Sequence, residues 1–367
     1  MKKTFLILFF SAAISCQVFA QDQQYQVDTV YAELDTVDQR AERFYNKGIS
    51  KFQKGAYSPA LADFSEAIAL RPDFDKAYYN RGSVKYELKD YHGAISDFDK
   101  AIELISPSGL PAETSSQVGK AYFSRGLAKY ALDDKKDALI DYTSAISKDP
   151  KHAKAYYYRG GIKFEMADYQ GAVKDFTMAI KLKPDYAYAY NDRGSAKKLL
   201  EDDKGALADY ENAIQIDPKL ALAYNNLASI KKKLGDHKGA LLDYSLAIKI
   251  NPDYYIAYNN RGSVKFEMGD FNGAIDDFNQ AIKINSEYAY AYNNRGTAKH
   301  KLKDYNGAVL DYNQAIQINR RYGYAYLNRG IAREMLREKK DACRDWQKAS
   351  DLGINSAETY IKKECMD

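Results

Sequence analysis

Polar and apolar positions along the chain follow the period of amphipathic helices, and the pattern returns every 34 residues. In the segment 255–288, residues spaced at i, i+3, i+4 and i+7 mark one helical face, namely Tyr258, Arg261, Gly262 and Lys265. A second face with the same spacing contains Ala274, Asp277, Phe278 and Ala281. Gly269 and Asp270 interrupt the period between the two faces. The pattern therefore predicts two helices joined by a short turn.

The 34-residue period extends over most of the chain and indicates a repeat architecture. Nine repeats are predicted, at 41–74, 75–108, 119–152, 153–186, 187–220, 221–254, 255–288, 289–322 and 323–354. Six of them close with a proline that stops the second helix, at Pro72, Pro107, Pro150, Pro184, Pro218 and Pro252. One helix pair cannot bury both of its faces, so neighbouring repeats must stack.

The segments that precede the repeats suggest export. Residues 1–20 contain Lys2 and Lys3, an apolar run and a small residue at Ala20, which predicts a signal peptide cleaved after Ala20. A lipoprotein anchored through Cys16 is the less favoured alternative. Residues 21–40 are polar and acidic, and we expect a flexible lead-in there.

Two further segments depart from the repeat pattern. The insertion 105–118 contains two prolines and several small polar residues, which predicts a loop, or a longer second helix followed by that loop. Residues 355–367 are polar and amphipathic, and we expect a capping helix that covers the end of the array.

Residue types at fixed places within the repeats resemble a known family. A tyrosine, a glycine, an alanine, an aromatic residue, a second alanine and a proline recur in order, for example as Tyr156, Gly160, Ala172, Phe176, Ala179 and Pro184. This series resembles the tetratricopeptide repeat, a family of helix–turn–helix modules. The resemblance implies an all-α, right-handed superhelical solenoid that acts as a non-catalytic scaffold.

A basic residue precedes the glycine in eight of the nine repeats, where the family usually has an apolar one: Lys47, Arg81, Arg125, Arg159, Arg193, Arg261, Arg295 and Arg329. The sixth repeat has Leu227 there. Sixteen residues later every repeat has an aspartate: Asp63, Asp97, Asp141, Asp175, Asp209, Asp243, Asp277, Asp311 and Asp345. Helical rise separates the two levels by about 3 Å across a hairpin. We therefore predict ion pairs such as Arg81–Asp97, Arg261–Asp277 and Arg295–Asp311, with two water-facing side chains as the alternative.

A second basic row stands four residues after the first: Lys51, Lys85, Lys129, Lys163, Lys197, Lys231, Lys265, Lys299 and Arg333. Its level is nearest the turn, where an acidic residue recurs, as at Asp90, Asp270 and Asp304. The sequence therefore predicts exposed ion pairs at the turns, which contribute little to stability.

Proteins of the resembled family bind extended peptides on a concave wall of first helices. Read onto this chain, the wall carries Tyr45, Tyr79, Phe123 and Tyr157 in the first four repeats. In the next four it carries Asn191, Asn225, Asn259 and Asn293, with Ser195, Ser229, Ser263 and Thr297 one turn on. An amide row can satisfy the backbone of a bound peptide. Alternatively, the polar residues bond neighbouring repeats and the rings pack between repeats.

Charge and composition give no sign of other functions. The formal net charge of the 367-residue chain is +4, which does not indicate a nucleic-acid or membrane-surface partner. The four histidines lie in different repeats, and the sequence has no phosphate loop or nucleophile elbow. We therefore predict no catalytic residues, no metal, no cofactor and no enzyme. After signal cleavage, no apolar run is long enough for a transmembrane segment.

Cys343 and Cys365 remain after signal cleavage, and in an oxidising compartment they are candidates for a disulfide that holds the cap. Two free thiols are the alternative. The sequence as a whole indicates an exported bacterial scaffold, periplasmic or extracellular, with a protein or peptide partner. A structural subunit of a cell-envelope complex that uses the convex face or the ends is an alternative, as is carbohydrate binding by the aromatic half.

Overall fold

A computed structural model describes residues 36–105 and 112–365, with side chains at 112–114 excepted. The predicted signal peptide 1–20 lies outside these residues, as does most of the predicted lead-in. Every regular element of the described chain is a helix. In chain order the helices are α1 Val37–Gln53, α2 Tyr57–Leu70, α3 Asp75–Glu87, α4 Tyr91–Ile105, α5 Ala112–Ala131, α6 Lys135–Lys148, α7 Ala153–Glu165, α8 Tyr169–Leu182, α9 Ala187–Leu199, α10 Asp203–Ile216, α11 Ala221–Lys233, α12 His237–Ile250, α13 Tyr255–Glu267, α14 Phe271–Ile284, α15 Ala289–Lys301, α16 Tyr305–Ile318, α17 Gly323–Met335, α18 Lys339–Asp351 and α19 Ala357–Glu364.

The helices form tandem pairs, which confirms the predicted all-α fold class. Contacts divide the chain into two compact units, called unit 1 (Met1–Arg159) and unit 2 (Gly160–Asp367) below. In unit 1, α1 packs against α2, α3 against α4, and α5 against α6. In unit 2 the same pairing joins α9 to α10, α11 to α12, α13 to α14, α15 to α16, and α17 to α18. No described helix combines the length and apolar character needed to cross a membrane.

The two helices of a repeat approach closely at a glycine. A Cβ atom at Gly262 would lie only 2.8 Å from a ring carbon of Phe278, so a larger residue would push the second helix away. Ala274 and Ala281 are fully buried on either side of this ring. Small residues therefore set the helix spacing, and one aromatic ring fills the space beside them.

The turn inside each repeat has a fixed chemistry. The second residue after the first helix has a positive φ. This residue is Gly269 (84°) in the seventh repeat and Lys303 (64°) in the eighth. The aspartate that follows caps the second helix, as where the Gly273 amide donates to Asp270 Oδ1 over 2.9 Å. The turn aspartates are therefore helix caps, whereas Glu338, the turn acid of the ninth repeat, makes no side-chain cap bond.

The start of the array differs from the prediction. Helix α1 begins at Val37, inside the predicted lead-in 21–40. Thr36 and Gln39 form a capping box, in which the Gln39 amide donates to Thr36 Oγ1 over 3.2 Å and the Thr36 amide donates to Gln39 Oε1 over 2.9 Å. These bonds satisfy amides that would otherwise be unpaired, and they fix the helix start.

The predicted loop 105–118 is wrong for residues 112–118, which form the first turns of α5. Ser115 Oγ donates to the Lys148 carbonyl over 2.8 Å, and Ser116 Oγ donates to Asp149 Oδ2 over 3.2 Å. Val118 is buried with Ala101 and Ile105. The small polar residues thus serve as contacts between α5 and the end of α6. Residues 106–111 lie outside the described chain.

Helix α19 covers the last repeat, at the place of the predicted cap 355–367. A disulfide joins Cys343 on α18 to Cys365. The ring of Tyr360 stacks on Trp346 at 5.1 Å between centroids, and Trp346 is fully buried. The cap therefore shields the largest side chain of the final core.

Candidate functional site

Each repeat contains a buried aspartate, and in most repeats a guanidinium holds both of its oxygens. Arg261 donates from Nε to Asp277 Oδ2 over 2.9 Å and from Nη2 to Asp277 Oδ1 over 2.7 Å, while Asp277 is only 3% exposed. The same two-bond geometry occurs in Arg81–Asp97, Arg125–Asp141, Arg193–Asp209, Arg295–Asp311 and Arg329–Asp345. The hydrogen bonds to Asp97 raise the pKa of Arg81.

Most of the second basic row contacts the buried aspartate instead of the predicted turn acid. Lys265 Nζ lies 2.8 Å from Asp277 Oδ2, so it joins the arginine on the same carboxylate. The equivalent contacts are Lys85–Asp97, Lys129–Asp141, Lys163–Asp175, Lys197–Asp209 and Lys299–Asp311. Arg333 contacts both, with its Nε 3.7 Å from Glu338 Oε2 and its Nη1 2.7 Å from Asp345 Oδ2. Because backbone amides already occupy the turn aspartates, the ammonium groups are drawn to the buried acid.

The arginine also reaches the preceding repeat. Arg261 Nη1 donates to Ser245 Oγ over 3.0 Å, sixteen residues before it, while Asp277 is sixteen residues after it. Arg193 reaches Thr177 over 3.1 Å in the same way, and Arg295 reaches Asn279 over 2.6 Å. One guanidinium therefore ties three helices together, and these charges stabilise the array without being available to a ligand.

The sixth repeat lacks this network because Leu227 replaces the arginine. Asp243 there has Lys231 at 2.6 Å, and burial raises the pKa of its carboxyl group. Leu227 packs instead with Tyr210 and Ile230. This repeat exchanges a buried ion network for apolar contact.

The predicted amide row does not face a ligand. Asn191, Asn225, Asn259 and Asn293 are all buried. Each accepts a hydrogen bond from an asparagine on the next first helix, from Asn226 at 2.9 Å, Asn260 at 3.1 Å, Asn294 at 3.0 Å and Asn328 at 3.0 Å, respectively. The groove-contact assignment of these four asparagines is therefore wrong, and the neighbour-bonding alternative describes them.

The side-chain bonds continue within each repeat, which makes one chain of amides. Asn293 donates to Asn294 over 3.3 Å, Asn259 to Asn260 over 3.5 Å, and Asn225 to Asn226 over 3.4 Å. Asn191 ends the chain by donating to Asp192 Oδ1 over 2.9 Å. We call this series, from Asn328 to Asp192, the amide chain. It links successive first helices of unit 2 and fixes their position relative to one another.

The hydroxyl row is likewise bonded inside the molecule. Ser195 Oγ lies 3.2 Å from Tyr210 Oη, and Tyr312 Oη donates to Thr297 Oγ1 over 3.3 Å. Ser229 and Ser263 accept from Lys198 at 2.9 Å and Lys232 at 2.8 Å. Burial raises the pKa of Tyr210 to about 12, and the bond to Ser195 opposes that rise. These four hydroxyls therefore hold second-helix tyrosines and neighbouring lysines.

The aromatic row of unit 1 packs between helices. Phe123 is buried, with its ring centroid 4.6 Å from that of His152 and 5.6 Å from that of Tyr142. Tyr45 lies 4.9 Å from Phe74. Tyr157 lies 5.5 Å from Tyr158, its neighbour on the same helix. Tyr79 and Tyr45 stay half-exposed and line a cleft of about 220 Å³. Most of these contacts lie within one repeat, and packing between repeats, the predicted alternative, occurs where the ring of Phe123 lies 5.5 Å from that of Tyr158 in the fourth repeat.

The side chains left open to a partner occupy a place that the sequence analysis did not single out. The second residue of each first helix in unit 2 is apolar, and we call the surface they define the first-helix face. It carries Tyr188 (51% exposed), Leu222 (38%), Ile256, Tyr290 (52%) and Tyr324 (56%). The same place in repeats two to four of the chain holds Lys76, Lys120 and Lys154. This shift from lysine to apolar residues was the available signal.

The side chains of the first-helix face form one continuous surface because neighbouring first helices are in contact. Helices α9 and α11, α11 and α13, α13 and α15, and α15 and α17 touch one another. The ring of Tyr290 lies 5.0 Å from that of Tyr322 and 5.5 Å from that of Tyr288. The exposed ring of Tyr290 therefore packs against two neighbouring tyrosine rings, which limit its movement. Within the described residues, no group of histidine, cysteine or acidic side chains has the arrangement of a metal site.

Comparison with protein families decides what kind of repeat this is. A model described as TPR repeat matches residues 48–89 and 262–303. Models described as tetratricopeptide repeat match 75–106, 123–187, 187–220, 221–254 and 289–322. These segments make up more than half of the chain. The chain belongs to the tetratricopeptide repeat family. Members of this family are in general non-catalytic scaffolds that bind protein or peptide partners.

Solved structures share the tetratricopeptide repeat fold. A repeat protein from Parabacteroides merdae ATCC 43184 is 19% identical, with 70% of this chain and 98% of that chain covered and a TM-score of 0.53. Cut9–Hcn1, the APC/C hetero-tetramer, is 15% identical over 95% of this chain and 88% of that chain, with a TM-score of 0.54. PilF of Pseudomonas aeruginosa is 14% identical over 56% and 93%, with a TM-score of 0.50. No curated protein matches the sequence.

Proposed function

We propose that this tetratricopeptide repeat protein is a non-catalytic scaffold that binds an extended peptide, or an extended segment of a partner protein, on the first-helix face of unit 2. One observation carries the proposal: five successive first helices place an apolar side chain at the same position, and Tyr188, Tyr290 and Tyr324 are each more than half exposed. A row of apolar side chains on one surface is typical of interaction sites.

The spacing of the row favours an extended partner. Each first helix contributes one apolar side chain, so a segment that crosses the helices meets one such contact per repeat. Tyrosine offers a large apolar ring with few rotatable bonds and a hydroxyl that can bond a peptide group. Each interior asparagine of the amide chain already donates one bond and accepts one, so the chain supports the surface by holding neighbouring helices in register.

The second-helix side of unit 2 is a weaker candidate. Leu242 and Leu310 are 62% and 69% exposed there. The same position in the repeat between them is Asp276, which is exposed and charged. This interruption disfavours a continuous apolar contact, although it leaves a structural subunit that uses the convex face as an outcome of the test below.

Export to a bacterial periplasm or to the extracellular space is also part of the proposal. The composition of residues 1–20 supports it, and so does the Cys343–Cys365 disulfide, since disulfides persist in oxidising compartments. The intact mass of protein purified from its native host tests this directly. A chain that begins at Gln21 would support export, a lipid-modified Cys16 would show the lipoprotein route, and a retained Met1 would contradict both.

The binding proposal can be tested with an array of random twelve-residue peptides, followed by fluorescence anisotropy on the tightest peptide. The variant Tyr188→Ala/Tyr324→Ala should bind at least about ten-fold more weakly, because exposed tyrosines are frequent binding hot spots. Leu242→Ala/Leu310→Ala is the matched control, with two exposed apolar residues removed from second helices. A loss confined to the control would favour the convex face, and capture of oligosaccharides instead of peptides would favour carbohydrate binding.

A further inference from the structure

Lys198, on the surface of unit 2, forms no direct ion pair with an acidic side chain of the described residues. It lies near the end of α9, and its Nζ donates to Ser229 Oγ on α11 over 2.9 Å. The Lys198 side chain is half-buried. An ammonium group has three donors, so two of them remain for another acceptor.

The next repeat shows the same arrangement with its acid present. Lys232, 34 residues after Lys198, donates to Ser263 Oγ over 2.8 Å and also lies 2.9 Å from Glu267 Oε1. Glu267 stands on the neighbouring first helix, α13. The lysine, the hydroxyl and the carboxylate thus satisfy one another at the surface without a partner molecule.

At Lys198 the position equivalent to Glu267 is occupied by Lys233. A second cation therefore replaces the carboxylate that would complete the site. Burial and the charge of Lys233 lower the pKa of Lys198, and the charge of Asp203 opposes this shift. Lys233 itself reaches Asp203 over 2.7 Å and is half-exposed, so it can turn toward an incoming anion.

We propose that Lys198, Lys233 and Ser229 bind a carboxylate side chain of the partner segment, which takes the place that Glu267 fills one repeat later. The inference rests on the proposed function, and it specifies the partner: an extended segment with an aspartate or glutamate about four or five residues from apolar ones. This spacing follows because ten helical residues, about 15 Å, separate Tyr188 from Lys198 on α9. Those apolar residues would contact Tyr188 and Leu222, which are the exposed members of the first-helix face on α9 and α11. Charge complementarity gives the segment its register, and the apolar row gives it contact area.

The test uses pairs of array peptides that differ only by glutamate or glutamine at one position. The unmodified protein should bind the glutamate member about ten-fold more tightly in the best pairs. Lys198→Met keeps the apolar stem and removes the charge, so it should abolish the preference. Lys232→Met is the matched control, and it should leave the preference intact because Lys232 already has Glu267.

Lys233→Glu provides an independent variant. It places a carboxylate within reach of Lys198 at the position that Glu267 occupies on α13, although it gives up the Lys233–Asp203 pair. The internal carboxylate should then displace the glutamate of the peptide. Peptide binding without any glutamate preference, or a preference that survives both Lys198→Met and Lys233→Glu, would overturn the site while leaving the proposed function standing. A complete lack of peptide binding would overturn both.

Discussion

The Asn260 side chain donates a hydrogen bond of 3.1 Å to Asn225 on the preceding first helix. This bond is one link of the amide chain, and Asn225 is itself buried. A buried amide that loses its partner retains its desolvation penalty, so each interior link matters more than its own bond energy suggests. Hydrogen bonds between asparagine side chains therefore help to fix the relative position of neighbouring first helices, in addition to apolar packing.

Asn259→Ala should destabilise unit 2 by about 1–3 kcal/mol, because it leaves Asn294 without an acceptor and Asn260 without a donor. Urea denaturation followed by circular dichroism measures the change. Asn328→Ala is the control, since Asn328 begins the chain and its removal breaks only the bond to Asn293. Equal losses in the two variants would contradict the chain.

Asp277→Ala should be more costly than Asp243→Ala. The first leaves both Arg261 and Lys265 without their acid, whereas the second leaves only Lys231. We expect about 3 kcal/mol for Asp277→Ala, the lower end of the range for breaking a buried pair, because Arg261 can still reach water. The free energies of unfolding of the two variants provide the comparison. A loss below about 0.5 kcal/mol for Asp277→Ala would refute a buried network.

Lys303→Gly should stabilise the protein, because Lys303 has a φ of 64° that only glycine adopts without strain. Release of that strain, about 1–2 kcal/mol, exceeds the added flexibility of the unfolded chain, about 0.5–1 kcal/mol. The reverse change, Gly269→Ala, should be destabilising at the equivalent turn. Thermal melts of both variants check the sign, and a matching sign in the two would rule out the explanation.

His152 should make unit 1 sensitive to mild acid. Its Nδ1 accepts from the Ala155 amide over 3.2 Å, its ring contacts Phe123, and burial lowers its pKa. The neutral form is thus favoured in the folded state, so its stabilising contribution is present above the unfolded pKa of about 6.5 and is lost as pH falls through the lowered folded value. Asn also caps helices but does not titrate. Between pH 7.5 and pH 5, unfolding free energy should fall more for the unmodified protein than for His152→Asn; parallel curves would disprove the role.

The sequence predicted the helix pairs and the partners of the arginines because both follow from spacing within one repeat. Sixteen residues separate Arg261 from Asp277, and helical rise alone brings them to one level. Spacing alone pointed to the wrong partner for Lys265. The nearest acid, the turn residue Asp270, already accepts a hydrogen bond from a backbone amide, and Lys265 contacts Asp277 instead. Which aspartate binds the lysine can be decided only when the hydrogen bonds that cap the second helices are known.

The asparagines were misassigned for a different reason. Asn225 and Asn260 belong to different repeats, and their relative position depends on how one repeat stacks on the next. The dipeptides at Asn225–Asn226, Asn259–Asn260 and Asn293–Asn294 were a signal that adjacent amides bond each other in series. Exposure also differs along one helix, because Asn293 is buried while Tyr290, three residues before it, is exposed. The tyrosine is therefore available to a partner.

If a partner lies on the first-helix face of unit 2, site-specific photo-crosslinking should attach the partner to that face. A photoreactive phenylalanine analogue is placed at Tyr290 in one protein and at Leu310 in another, and each is irradiated with the tightest array peptide. We expect a covalent adduct at position 290 and none at position 310. An adduct at position 310 alone, or equal adducts at both, would contradict binding on the first-helix face.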